Sequence, residues 1–393
     1  MADGSREGRL RKRPSFPHSP VRALLVRLAS WARGEAVLCI AALCAAVSAL
    51  FVPPDAIWAS YFDVRVLVLL FCLMATVAGC RASGLFDALA KALLQGDRSF
   101  RVVALTLVML PFFASMLVTN DVALLAFVPF AVLVLTHAGR IGSLAWVVVL
   151  QAVAANLGGM ATPVGNPQNL YLFMRYELDL AEFAGLLLPY VALSLVALAA
   201  AALASGRGRT CVAVPLASEG IRVKRAALHA ALFGLCLLSV ARVIEPLVLL
   251  PVVLVALALF DRRMFRAVDY GLLLTFACFF VFAGNMGRIE QVRDLFEWLM
   301  QQNALLTSVA ASQVISNVPA AVLLSEFTGD WQSLLLGVDI GGLGTPVASL
   351  ASLIALRLYL HAEGAAIGKF MMTLAVVNVT FLALLLALRA CML

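Results

Sequence analysis

Hydrophobic residues run along this chain in blocks of 16 to 24, too long and too uniformly apolar for the buried helices of a soluble domain and long enough to cross a bilayer. The blocks predict spans at 36–52, 64–82, 183–204, 226–243, 247–260, 268–287 and 366–388. Four further blocks break this regularity. Val102 to Thr136 is far longer than one span needs and carries Thr119-Asn120-Asp121 at its middle. Ala304 to Phe327 is interrupted by Ser316-Asn317-Val318-Pro319. Both read as re-entrant hairpins with a polar tip. The blocks 143–175 and 334–358 each contain a polar, glycine- and proline-rich stretch, and read as discontinuous spans. Non-helical backbone at membrane depth survives only where it is buried in protein or lines a cavity, so these breaks mark a designed feature.

The two breaks are copies of one device. Asn156-Leu-Gly-Gly-Met-Ala-Thr-Pro-Val-Gly-Asn-Pro-Gln-Asn169 aligns without gaps on Asp339-Ile-Gly-Gly-Leu-Gly-Thr-Pro-Val-Ala-Ser-Leu-Ala-Ser352. Counting each hairpin as no crossing gives nine spans, with two before the first hairpin and seven before the second. The hairpins then enter from opposite faces, which makes the halves inverted repeats, 35–204 and 226–393, joined by a basic linker over 205–225. Interrupted helices in corresponding positions of two halves point to a transporter binding site. The remaining segments are peripheral: residues 1–34 form a basic tail ending in an amphipathic stretch, Leu85 to Arg101 an interfacial helix, and Arg288 to Leu299 an outer amphipathic piece.

Composition agrees with a polytopic all-α membrane protein: 63% of 393 residues are hydrophobic, 13% are charged, and the mean hydropathy is +1.00. The net charge of +7 raises nucleic acid as a partner, but its distribution answers otherwise. On the nine-span layout Arg65, Arg175, Arg242, Arg288, Arg293 and Arg389 fall on one face, and the other 23 of the 29 basic residues on the other. The positive-inside rule then puts the N-terminus in the cytoplasm and the C-terminus outside, in an inner cell membrane, with the bilayer rather than nucleic acid as the partner. A cleaved signal peptide ending near Val47-Ser48-Ala49 is the rival for the first span, and removing that span spoils this agreement.

At each break one half-helix ends in free carbonyls that attract a cation, and the next begins in free N–H groups that attract an anion. Gly158 and Gly159 permit unusual backbone angles there, and Pro163 and Pro167 remove donors and stop the helix re-forming. A small anion would meet the N-termini near Pro163 and Pro346 with Thr162, Asn166, Asn169, Thr345, Ser349 and Ser352. The coupling ion would lie where hairpin tips face the breaks, one site gathering Thr119, Asn120, Asp121 and Asn156 and the other Ser316, Asn317 and Asp339. Such oxygen-rich sets suit Na⁺ or protons rather than soft metals, and no other cofactor is expected. Asp121 and Asp339 carry the most weight, because an intramembrane carboxylate is a functional candidate by default; the plainer reading is that they cap half-helices or hold hairpin backbone. Small differences at Asn166, Gln168, Ser349 or Ser352 would switch one solute for another.

Nothing in the sequence supplies an enzyme's machinery: HExxH, GxSxG and Walker A patterns are absent, His137, His229 and His361 fall at span ends, and eight scattered cysteines lack metal-ligand spacing. A channel would use intramembrane polar residues without needing inverted discontinuous repeats.

The motifs Asn156-Leu-Gly-Gly, Thr162-Pro-Val-Gly-Asn-Pro-Gln-Asn169, Thr119-Asn120-Asp121 before Pro129, Ser316-Asn317-Val318-Pro319 and Gly337-Val-Asp-Ile-Gly-Gly-Leu-Gly-Thr-Pro-Val-Ala-Ser-Leu-Ala351 together resemble the ion transporter superfamily. That group includes divalent anion:sodium symporters, citrate transporters and arsenite efflux permeases. The resemblance implies a homodimer in which each protomer has a scaffold and a moving transport domain, working as an elevator. In the symporters, Ser-Asn-Thr triplets at both hairpin tips help form sodium and carboxylate sites; here they become Thr119-Asn120-Asp121 and Ser316-Asn317-Val318. The ending Gly-Thr-Pro-Val-Ala-Ser-Leu-Ala is closer to the arsenite-permease and citrate-transporter branches. Anion transport coupled to Na⁺ or H⁺ is the favoured reading, with proton-coupled antiport or efflux as the alternative.

Overall fold

The computed structural model describes residues 35–94, 96–206, 208–212 and 222–392. The expected tail at 1–34 and positions 207 and 213–221 of the 205–225 linker lie outside them. The rest is helical: α1 (Ala36–Phe51), α2 (Trp58–Tyr61), α3 (Val64–Ala82), α4 (Leu85–Leu94), α5 (Phe100–Ala114), α6 (Asn120–His137), α7 (Leu144–Gly159), α8 (Pro167–Arg175), α9 (Leu180–Leu203), α10 (Val223–Val240), α11 (Pro246–Phe260), α12 (Tyr270–Arg288), α13 (Glu290–Ile315), α14 (Asn317–Leu324), α15 (Trp331–Gly341), α16 (Leu350–Tyr359) and α17 (Ile367–Met392).

Seven of the described helical segments are long and apolar enough to cross a bilayer: Val64–Ala82, Asn120–His137, Ile141–Gly159, Leu180–Leu203, Val223–Val240, Tyr270–Arg288 and Ile367–Met392. Their outward faces stay apolar, with Leu188, Val196, Leu238 and Val379 exposed along them, as a lipid-facing surface requires. The protein is a multi-pass integral membrane protein. Four shorter apolar helices, among them α1 and α11, pack between and beside these seven.

The long block 102–136 is two helices, α5 and α6, parted by the turn 115–119. The second over-long block begins where Asn303 leaves helical geometry inside α13, its side chain accepting from Leu306 N at 2.9 Å to restart the helix. It turns at Ser316, whose φ of 74° is strained for a residue with a Cβ, and continues as α14. Elements distant in sequence interlock around these turns: α7 packs on α5, α6, α9, α16 and α17, and α14 packs on α8. Gln151, buried in α7, ties both arms of the first pair together by donating to Leu107 O at 2.8 Å and Phe127 O at 3.4 Å. At one end of the bundle, Arg288 holds Asp55 at 2.8 Å and keeps that carboxyl below the usual carboxylate range.

Two sequence expectations change here. The interfacial helix expected to reach Arg101 stops at Leu94, and Gly96–Ser99 (β1) pairs antiparallel with Arg209–Val212 (β2). Gly96, just past the helix end, has a φ of 110°, and Gly208, just before β2, one of 119°, conformations that side chains resist. His229, expected at a wet span end, is fully buried in α10, with Nε2 3.4 Å from Asp261 Oδ2. Room for it comes from Gly79 in α3, where any Cβ would overlap the imidazole. Gly79→Ala is therefore expected to cost about 1–3 kcal/mol of stability by overpacking, read from thermal unfolding in detergent. Adding His229→Ala should recover part of that loss; equal melting of the single and double variants would refute the clash.

Candidate transport site

The turn before α6 and the turn at Ser316 are each bonded to one of the breaks through the backbone. Asn120 N donates to Gly165 O at 3.0 Å, and Asn317 N donates to Ala348 O at 2.9 Å. At both turns the Asn side-chain oxygen folds back to accept from the next N–H, Asp121 N at 2.8 Å and Val318 N at 3.0 Å, so the Asn amide groups are turned outward. Asn120 Nδ2 reaches Asn156 Oδ1 at 3.5 Å.

The two breaks then meet each other. Gln168 Nε2 in α8 donates to Asp339 Oδ1 in α15 at 3.0 Å, with both residues 1% exposed. A Cβ placed on Gly342 would stand 2.6 Å from Asn156 Nδ2 and 2.9 Å from Asn317 Nδ2, so carboxamides from both halves converge over that glycine. Asn317 Nδ2 is buried without an acceptor. Side chains of both breaks therefore come together: Asn156 stands near Asn317 over Gly342, and Asp339 is bonded to Gln168 of the first break. The reason is geometric. The helices α7 and α15 end at Gly159 and Gly341, and the residues at these two ends lie side by side.

Other expected residues sit elsewhere. Thr119 precedes α6 as its N-cap without a side-chain capping bond. Asp121 points away from the cluster into a cavity of about 520 Å³ beside α3, lined also by Arg81, Thr119 and Asp269, and its Oδ1 has no donor. Neighbouring positions on a helix point about 100° apart, so Asn120 and Asp121 face different surroundings. Thr162 donates to Met116 O at 2.6 Å and Thr345, exposed, donates to Gln313 O at 3.0 Å, which makes both fasteners of the turns. Ser316 Oγ lies 3.3 Å from Ala348 O. Ser349 caps α16 by accepting from Ala351 N at 3.3 Å, and Ser352 is buried one turn on. Asn166 and Asn169 donate to Asn156 O at 3.2 Å and Gly159 O at 3.5 Å.

Gly158 and Gly159 are helical, not at unusual angles; the positive φ falls on Gly344, at 117°. What Gly158 supplies is contact between α7 and α5. Sequence reasoning overlooked Gln313, whose Nε2 donates to Gly341 O at 2.7 Å and Leu343 O at 2.9 Å while its Oε1 accepts from Thr345 N at 2.8 Å. A glutamine inside an apolar run was the available signal. A second cavity, of about 610 Å³, opens at the Val64 end of α3, opposite the Asp121 cavity; its wall includes the ion pairs Arg65–Glu245 at 3.2 Å and Arg175–Glu326 at 3.1 Å.

The citrate transporter family model matches residues 24–328. The uncharacterized transporter MJ0456 of Methanocaldococcus jannaschii is 31% identical over 321 residues, covering 81% of this chain and 87% of that protein. The inner membrane protein YbiR of Escherichia coli is 29% identical over 307 residues, covering 77% and 81%. The uncharacterized transporter Rv2685 of Mycobacterium tuberculosis is 26% identical over 363 residues, covering 81% and 84%. Family and relatives point to a transporter rather than an enzyme, and the interrupted helices meeting at a buried polar centre suit that activity. The chain belongs to the citrate transporter family.

Proposed function

We propose that this protein is a secondary active transporter that moves a small anion, a carboxylate or an inorganic oxyanion, coupled to Na⁺ or H⁺. The observation that carries the reading is the convergence of Asn156 Nδ2 and Asn317 Nδ2 over Gly342, inside a cluster that neither half forms alone. Two neutral N–H donors, joined by the N-terminus of α16 beside them, recognise an anion without a fixed cation; the breaks 156–169 and 339–352 contain no Lys or Arg. Asn156 and Asn317, grouped with the coupling ion on sequence grounds, are better suited as donors to the anion.

The halves act as inverted repeats, each with a re-entrant hairpin and a discontinuous span. The helices carrying the cluster move as an elevator against a scaffold containing α3, α10 and α11. The protein works as a homodimer in the inner membrane, N-terminus inside and C-terminus outside. The cavities at opposite ends of α3 supply the two approaches such a cycle needs. A proton-coupled antiporter or efflux permease is the second reading, favoured by Asp121 and Asp269 lining one cavity.

Purified protein in proteoliposomes should take up one of a panel of carboxylates and oxyanions with saturable kinetics driven by a Na⁺ or pH gradient. If Asp121 carries the proton, Asp121→Asn will flatten the pH dependence of transport; a pH profile like the parent's removes that role. Unsaturable ion current in place of coupled uptake would sink the transporter reading in favour of a channel.

A further inference from the structure

Beside the turn at Ser316 lies a cavity of about 420 Å³ that no polar contact described above enters. One part of its wall comes from α1 and α12, which pack on each other, through Cys44 and the rings of Phe279 and Phe282. The rest comes from the turn and from the second break, through Ser316, Pro319 and Val347. Cys44 and Ser316 are its only non-hydrocarbon side chains among the described residues, and no charged residue lines it. Its depth follows from the helices that form it. Phe279 stands halfway along α12, which runs from Tyr270 to Arg288, and Cys44 stands halfway along α1, from Ala36 to Phe51. At the middle of a spanning helix the surroundings are hydrocarbon. The cavity opens towards them: Ile40, Val314, Val347 and Leu353 on its wall are all exposed, Val314 by 75%.

Water finds too few polar partners in such a hollow, and a wall with nothing against it forfeits its dispersion contacts. Hydrocarbon is what the bilayer offers at this depth. We infer that the cavity is a binding site for an aliphatic chain, the acyl tail of a bilayer phospholipid, inserted at mid-membrane between α1, α12 and the turn at Ser316. A wall without charge gives a headgroup nothing to hold, so the tail alone is recognised. What the tail does follows from the residues it touches. Ser316 keeps a φ of 74°, a strained conformation that persists only where the surroundings over-determine it. Asn317 N, donating to Ala348 O at 2.9 Å, fixes the turn to the break. Pro319 and Val347, within three residues of those two anchors, are left to the cavity. A chain packed against them completes the enclosure of the turn. Lipid is thereby a structural part of the segment that presents Asn317 to Gly342. The site stands whether or not the protein carries an anion.

Full-length protein reconstituted in phosphatidylcholine vesicles, doped with a phosphatidylcholine that carries a diazirine in mid-chain, is extracted in detergent and passed over a sizing column to strip loosely held lipid. It is then irradiated and its labelled peptides are mapped by mass spectrometry. Label should concentrate on the peptides carrying Val314 to Leu323 and Val347 to Leu353. It should exceed several-fold the label on α9, whose Leu188 and Val196 are comparably exposed to lipid. Ala311→Phe, which puts a ring into the cavity from α13, should lose this label. Delipidated parent should gain several degrees in melting temperature when phosphatidylcholine is added back, and Ala311→Phe should gain little. Should that variant fail to fold, Val347→Trp at the exposed mouth should cut the label several-fold. Label spread evenly over lipid-facing helices overturns the site, as does label unchanged in a folded variant. Absence of label at the cavity overturns it too, including where a second copy of the chain covers the mouth.

Discussion

Gly158→Ala is expected to remove most of the folded protein from the membrane. A Cβ at this position would overlap the main-chain carbonyl oxygen of Phe112 and stand 2.6 Å from Ser115 Oγ and 2.8 Å from Phe112 C. The obstacle is backbone in the last turns of α5, and Ser115 Oγ already donates to Phe112 O at 2.9 Å, so the turn has no slack. Relief requires α5 and α7 to separate. That contact sits where α7 ends in the break, and α7 is buried on every side. Close approach through small residues is a main source of helix association in lipid. The cost should lie at or above the upper end of the roughly 1–3 kcal/mol typical of overpacking, read as lost monodisperse protein on size exclusion and a lowered melting temperature. Gly185→Ala in α9, where an added methyl meets nothing within 4 Å, is the control and should be neutral or stabilising by about 0.5–1 kcal/mol. Equal yield and melting for both variants would contradict the packing described for α5 and α7.

The turns and breaks were legible in the sequence for a physical reason. Glycine, proline and amides interrupting apolar runs are so costly in lipid that they mark non-helical backbone wherever they occur. The duplicated stretches at Asn156 and Asp339 therefore showed where helices stop, and the structure stops them at Gly159 and Gly341. Partners were less legible. Asp121 and Asp339 look alike in sequence, yet one lines a cavity beside α3 and the other is bonded to Gln168 of the opposite break. Side-chain direction at a helix end and the packing of the two breaks against each other decide this, and neither is written in spacing. The β1–β2 ribbon and the burial of His229 against Gly79 depend on segments more than a hundred residues apart. The glycines misled in an instructive way: absence of a Cβ serves either an unusual φ or a close approach, and composition does not say which.

Gly342→Ala is expected to leave a folded protein that does not transport. Here too an added methyl has no free space, but what it meets is different: the Nδ2 groups of Asn156 at 2.6 Å and Asn317 at 2.9 Å, both ends of side chains, with only Asp339 O from the backbone, at 3.3 Å. Side-chain ends rotate where main chain does not, so the methyl is accommodated at a stability cost of about 1–2 kcal/mol, below that of Gly158→Ala. The rotation is what removes function. Turning Asn317 aside breaks its acceptance from Val318 N at 3.0 Å, and turning Asn156 aside breaks its 3.5 Å contact with Asn120. The two donors then no longer converge, and the methyl fills the position an anion would occupy. Initial uptake rates should fall at least a hundredfold, a loss of about 2.7 kcal/mol in transition-state terms. The melting temperature should stay within a few degrees of the parent, because the closest atoms the methyl meets are side-chain ends rather than main chain. Transport near the parent rate would show that the carboxamides over Gly342 do not hold the anion, whereas loss of folding instead of transport would show that they are fasteners like Thr162 and Gln313.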